Sequence, residues 1–159
     1  MENIQALQNA LNFEPENPEE NFNKVISAKK DLAKLQQSLD SLVFVCRLRI
    51  WQKQIENKFK GIHVYSDEEG FYIIINNVYC GIWIENNNKY FWGFFIDNNR
   101  LTEEQDKKII EEIIIRSGLS SNSNKYYIGW AYTENGANTM SKFIEIAQEL
   151  PGCKIEQRL

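Results

Sequence analysis

The chain has 159 residues, 43% of them hydrophobic, and a formal net charge of −4. That is enough for one domain, or a domain with an appendage, and a mildly acidic balance argues against a surface given over to nucleic acid. Cys46, Cys80 and Cys153 lie far apart with no CxxC pair and a single histidine, His63. The expectation is therefore no structural zinc, no disulfide framework, no cofactor and a reducing, cytoplasmic setting. No stretch has the pattern of a signal peptide or the length of a membrane span, so no membrane partner is expected.

The first residues, 1–17, read as a short helix or tail, with Ile4, Leu7 and Leu11 on one face and Pro15 breaking it. A stronger start signal follows: Asn17 can cap, Pro18 suits the first helical position and Glu20 completes an Asn-x-x-Glu box. From there to Gly61 there is neither Gly nor Pro, which predicts a long helix over 18–60. Val25, Ala28, Leu32, Leu35, Leu39, Leu42 and Cys46 repeat at three and four, a heptad seam, and Ile50, Ile55 and Phe59 continue the stripe. A helix of that length is roughly 65 Å long, more than the width of a small domain. Two solutions compete: homodimerisation through residues 25–46, or a bend near 42–46 that folds the second half onto a sheet. In either case the segment 41–46, apolar on every side, is expected to be buried.

Residues 61–97 read as four strands separated by the turn signals Asp67-Glu68-Glu69-Gly70, Asn76-Asn77 and Asn86-Asn87-Asn88. Connections this short join antiparallel neighbours, hence a meander. Alternation makes both faces apolar, so both are expected to be covered, one by the long helix and one by later elements. Thr102 and Gln105 form a capping box for a helix that ends at Gly118; a fifth strand is placed at 125–131, a last helix at 137–150 and a short edge strand at 153–155. The fold class is α+β: an antiparallel meander of about five strands with a long N-terminal helix and two C-terminal helices, residues 18–60 and 61–159 forming one globular domain.

Gly81, Gly93 and Gly129 sit mid-strand among aromatics. Side by side they would open a trough walled by Trp83, Phe91, Phe95 and Tyr127, filled by one of the chain's own helices or by a partner. Charge is uneven: residues 18–60 carry nine Lys and Arg against five Asp and Glu, and residues 61–159 nine against fourteen. Arg47, Arg49, Trp51 and Lys53 on the basic helix are the second candidate contact set, facing either an acidic protein surface or a phosphate backbone. Glu56-Asn57-Lys58 has the Glu-x-Lys end of a metal-dependent nuclease signature, but on a helix these two side chains point roughly 200° apart and cannot share a metal. His63 has no Ser or Cys beside it to activate, and Asp67-Glu68-Glu69 lacks calcium-loop spacing. No catalytic and no metal-binding residue is assigned.

The order Trp51-x-x-x-Ile55-Glu56, Gly70-Phe71-Tyr72-Ile73, Tyr79 to Ile84 and Tyr90-Phe91-Trp92-Gly93 resembles the C-terminal accessory region of some bacterial proteins of the PD-(D/E)XK nuclease family, over residues 50–130. The resemblance implies a recognition or regulatory domain without the catalytic centre. Together these readings favour a non-catalytic module that binds a protein partner, such as a phage or mobile-element inhibitor that blocks a host defence complex. A nuclease relative or remnant, and a nucleic-acid-binding accessory domain using the basic helix, are the alternatives.

Overall fold

The computed structural model describes residues 2–85, 88–97 and 102–159. Among the described residues four helices and a five-stranded antiparallel sheet make an α+β fold. By contacts the chain divides into two compact units, Met1–Val43 and Phe44–Leu159.

In the first unit α1 (Glu2–Ala10) ends in a turn where Asn12 takes a positive φ of 51°. The start of α2 (Pro18–Lys58) is tied to that turn. The Asn21 side chain accepts from the Glu14 backbone N–H at 3.0 Å and donates to the Glu14 carbonyl at 2.6 Å, and Lys24 Nζ donates to the Asn12 carbonyl at 3.0 Å.

In the second unit the strands β1 (Tyr65–Ser66), β2 (Gly70–Ile75), β3 (Val78–Glu85), β4 (Lys89–Phe95) and β5 (Tyr127–Tyr132) pair in sequence order, every pair antiparallel. The hairpin between β2 and β3 is a two-residue turn with Asn76 at φ 46° and Asn77 at φ 61°, the left-handed pair whose twist matches that of the strands. At the β1–β2 tip Asp67 Oδ1 accepts from the N–H groups of Glu69 and Gly70, at 2.9 and 2.6 Å, so the acidic run is a side-chain-closed turn. Asn86 and Asn87, read as a turn, lie outside the described residues.

One face of the sheet builds the core. Phe71, Ile73, Ile75, Cys80, Ile82, Trp92 and Phe94 meet Leu48, Trp51 and Ile55 of α2, Ile110, Ile113 and Ile114 of α3 (Glu104–Ser117), and Met140, Phe143 and Ile144 of α4 (Gly136–Glu149) in one buried cluster. Burial pushes the Cys80 thiol well above its ordinary pKa, as for a small core residue. Gly136 opens α4 where no side chain fits: a Cβ there would stand 2.6 Å from the Trp51 ring. Gly118 ends α3 in the left-handed region at φ 66°, as its sequence position requires.

Three expectations are corrected. Segment 41–46 is largely exposed within one chain, Leu42 at 54% and Val43 at 56%, because full burial along α2 begins at Leu48, where the sheet lies against it. The Thr102–Gln105 capping box does not form: Glu103 is the N-cap without a side-chain bond, and Thr102 Oγ1 is buried with no hydrogen-bond partner among the described residues. Finally, all three helical segments of this unit join the same core, so among the described residues no helix covers the other sheet face.

Residues 154–157 lie along the end of β2: Ile155 bridges Ile75, the Glu156 N–H donates to the Ile74 carbonyl at 3.0 Å, and Gln157 bridges Ile62. Asn76 fixes this junction. Its Oδ1 accepts from Lys154 N–H at 2.6 Å, its Nδ2 donates to Asp106 at 3.0 Å, and the residue is buried. Replacing Asn76 by alanine strands the Lys154 N–H and strains a positive-φ site, so the expected loss is about 1–3 kcal/mol, measurable by urea unfolding. An unchanged midpoint would show that the junction carries no weight.

Candidate functional site: an aromatic trough on the second sheet face

The face opposite the core is a field of rings. Tyr72 of β2, Tyr79 and Trp83 of β3, Phe91 and Phe95 of β4 and Tyr127 of β5 are each half-buried. Alternation explains their common side: Tyr72 pairs with Gly81, Tyr79 with Phe95, Gly81 with Gly93 and Trp83 with Phe91. Stacking runs across the sheet: His63 to Tyr65 at 4.1 Å, Tyr65 to Tyr72 at 5.2 Å, Tyr72 to Trp83 at 6.2 Å, Trp83 to Phe91 at 5.8 Å and Phe91 to Tyr127 at 6.1 Å. Rings at these centroid distances in offset and edge-on arrangements contribute beyond their buried area.

Glycines let two of these rings lie flat. A Cβ on Gly70 would stand 2.2 Å from the Trp83 ring and one on Gly81 2.6 Å from its far edge, so the indole lies across both. A Cβ on Gly93 would stand 2.8 Å from the Tyr127 ring. Gly129, expected beside them, faces the other way: its missing Cβ would stand 2.5 Å from Ile114 Cδ1 of α3. The cause is an irregularity in the β4–β5 ladder between Phe94 and Phe95. Gly129 pairs with the core residue Phe94, and after the slip Tyr127 pairs with Phe95 of the aromatic face. Without that bulge Tyr127, two residues from Gly129, would point into the core.

The rings enclose an open cavity of about 490 Å³, lined also by Asp67, Glu69, Ile84 and Asp97. Among the described residues that line it none is Lys, Arg or His. Asp67 and Glu69 stand at the β1–β2 tip, and Asp97 follows β4, where its Oδ2 accepts from the Tyr79 hydroxyl at 3.4 Å. Burial raises the Tyr127 hydroxyl above its ordinary pKa. Of the residues singled out in the sequence, Trp83, Phe91, Phe95 and Tyr127 are thus brought together; Tyr72, Tyr79 and the carboxylates complete the site. Strand phase alone would have added Tyr72 and Tyr79, since both alternate onto the side of Trp83.

The second candidate set is dispersed. Trp51 is 7% exposed and packs edge-on against Tyr90 at 4.5 Å. Arg49 is half-buried and donates to the backbone carbonyls of Gly70, at 3.2 Å, and Asp67, holding the β1–β2 tip. Lys53 is exposed, and Arg47 lines a separate groove with Phe44, Lys89 and Tyr90. Glu56 accepts from Gln52 at 2.9 Å, whereas Lys58 pairs with Glu145 of α4 at 2.7 Å. His63 lines a small cavity with Glu56, Lys60 and Arg158, and no cysteine lines it. Among the described residues no three of His, Cys, Asp and Glu are grouped as metal ligands would be. No protein-family model, no curated protein and no solved structure matches the chain.

Proposed function

We propose that this chain is a non-catalytic protein-binding module whose docking site is the aromatic trough. The observation that carries the reading is the cavity itself: six rings from four strands around about 490 Å³, with Asp67, Glu69 and Asp97 among the residues that line it. Aromatic surface supplies binding energy at little conformational cost, and Trp and Tyr dominate protein contact sites. The acid border selects a partner segment bearing Arg or Lys, whose cation gains from the ring faces as well as from the carboxylates. Inhibition of a host defence complex is one form such docking would take.

The test uses Trp83 as reporter and target. An array of short peptides, with and without Arg, Lys and aromatic residues, is screened by fluorescence polarisation. Peptides combining a basic and an aromatic residue should bind, and Trp83→Ala should weaken the best of them by about 30-fold, the roughly 2 kcal/mol of a contact hot spot. Lys53→Ala, on an exposed part of α2, should leave that affinity unchanged. Equal binding by the Trp83→Ala chain, or a preference for acidic peptides, would rule out the trough as the docking site.

A further inference from the structure

The first unit carries an apolar seam that nothing among the described residues covers. Along α2, Val25, Leu32, Leu35, Leu39 and Leu42 are 40%, 64%, 56%, 49% and 54% exposed, with Ala28 completing a run spaced at three and four. Off the seam α2 also exposes Phe22 at 65%, Ile26 at 36% and Val43 at 56%. A leucine seam of this length left in water is unusual for a monomer and is the pattern by which helices pair.

We infer that residues 22–43 pair with the same residues of a second copy of this chain, the two helices running antiparallel. The seam is complementary to its own reverse: Val25 falls opposite Leu42, Ala28 opposite Leu39 and Leu32 opposite Leu35, so the one small residue meets a large one. In that register Phe22 and Val43 fall into place as well, because the helix positions flanking the seam on one side meet their own kind across an antiparallel pair and set Phe22 against Val43. The same geometry brings Lys29 opposite Gln36 and, on the other flank, Asp31 opposite Ser38, with no like charges in contact.

Parallel pairing fails on each count. Ala28 would meet Ala28 and leave a gap, Phe22 would meet Asn17, and Lys24 would face Lys29 twice. Lys24 has a local partner in Glu20, at 3.0 Å, which softens that repulsion without supplying any attraction. Opposed helix dipoles add a small preference for the antiparallel order, and selection between orientations by polar flanks and seam size is the usual way such helices choose a partner.

Light scattering on the full chain at micromolar concentration should give twice the 18.7 kDa chain mass. Leu35→Glu combined with Leu39→Glu should weaken association at least 100-fold while leaving far-ultraviolet circular dichroism in place; both residues are exposed, so loss of folding is not expected. Orientation is read by disulfide trapping in a Cys46→Ser background, with Val25→Cys and Leu42→Cys made separately. Mixed and oxidised, the two should cross-link to each other; neither should cross-link to itself. A chain of single mass, a dimer indifferent to the two glutamates, or self-linking of the Val25→Cys chain would overturn the inference. Trp83→Ala should leave the mass unchanged, which separates this contact from the trough.

Discussion

A Phe143→Ala chain should be about 3–5 kcal/mol less stable than the parent. Phe143 is fully buried on α4 and meets two rings of β4 edge-on, Trp92 at 5.0 Å and Phe94 at 4.9 Å. Truncation removes the transferred apolar area, leaves a cavity that rings held by a strand ladder cannot close, and breaks two edge-to-face contacts. Against a total of about 5–15 kcal/mol for a typical domain, that is enough to unfold a sizeable fraction on mild heating. Urea unfolding followed by tryptophan emission would show it as a lowered midpoint at constant slope. Phe143→Leu, which keeps most of the volume, should cost less than half as much. Equal losses for the two variants would mean that ring contacts, and not the cavity, set the cost.

Gly81→Ala should cost about 1–3 kcal/mol, although it adds only one methyl group. The new carbon would stand 2.6 Å from the Trp83 ring, 2.7 Å from the Phe71 carbonyl oxygen and 2.7 Å from Tyr72 Cβ. The ring can swing away; the carbonyl belongs to β2 and is held in the ladder. The substitution should therefore both destabilise the sheet and lift the indole from its bed, visible as a changed near-ultraviolet circular dichroism band. Combining it with Trp83→Ala removes the first clash but not the second, so the double variant should recover only part of the loss. Full recovery would show that the indole, and not the backbone of β2, makes Gly81 necessary.

How far the fold can be read from the chain alone depends on which interactions are local. The meander can, because Asp67-Glu68-Glu69-Gly70 and Asn76-Asn77 are turn residues for stated backbone reasons and alternation between them sets the faces. So can the start of α2 at Pro18 and the end of α3 at Gly118, where a fixed φ and a left-handed cap act within a few residues. Strand position groups Trp83, Phe91, Phe95 and Tyr127 as the structure does, yet it also places Gly129 with them, through a rule of alternation that one bulge suspends. A bulge has no reliable sequence mark, since it depends on what the neighbouring strand offers. The covering of the second sheet face escapes the pattern for a different reason: apolar alternation tells that a face avoids water, and rings stacked on rings achieve part of that without any helix. Thr102 shows the limit of motif reading, for its spacing to Gln105 is right and its hydroxyl still makes no cap.

The placement of residues 154–157 beside β2 has a consequence for the molecule's behaviour in a crowded solution. Phe71-Tyr72-Ile73-Ile74-Ile75 is an aggregation-prone run, uncharged, aromatic and β-branched, with no proline. β1 covers only its first part, with Ser66 against Phe71 and Tyr65 against Tyr72. The backbone of Ile74 and Ile75 would otherwise stand ready to add a strand from a neighbouring molecule, and Ile155 and Glu156 occupy that position instead, with Asn76 as the latch. A segment of four residues with no helix or strand of its own thus keeps this strand from recruiting its own kind.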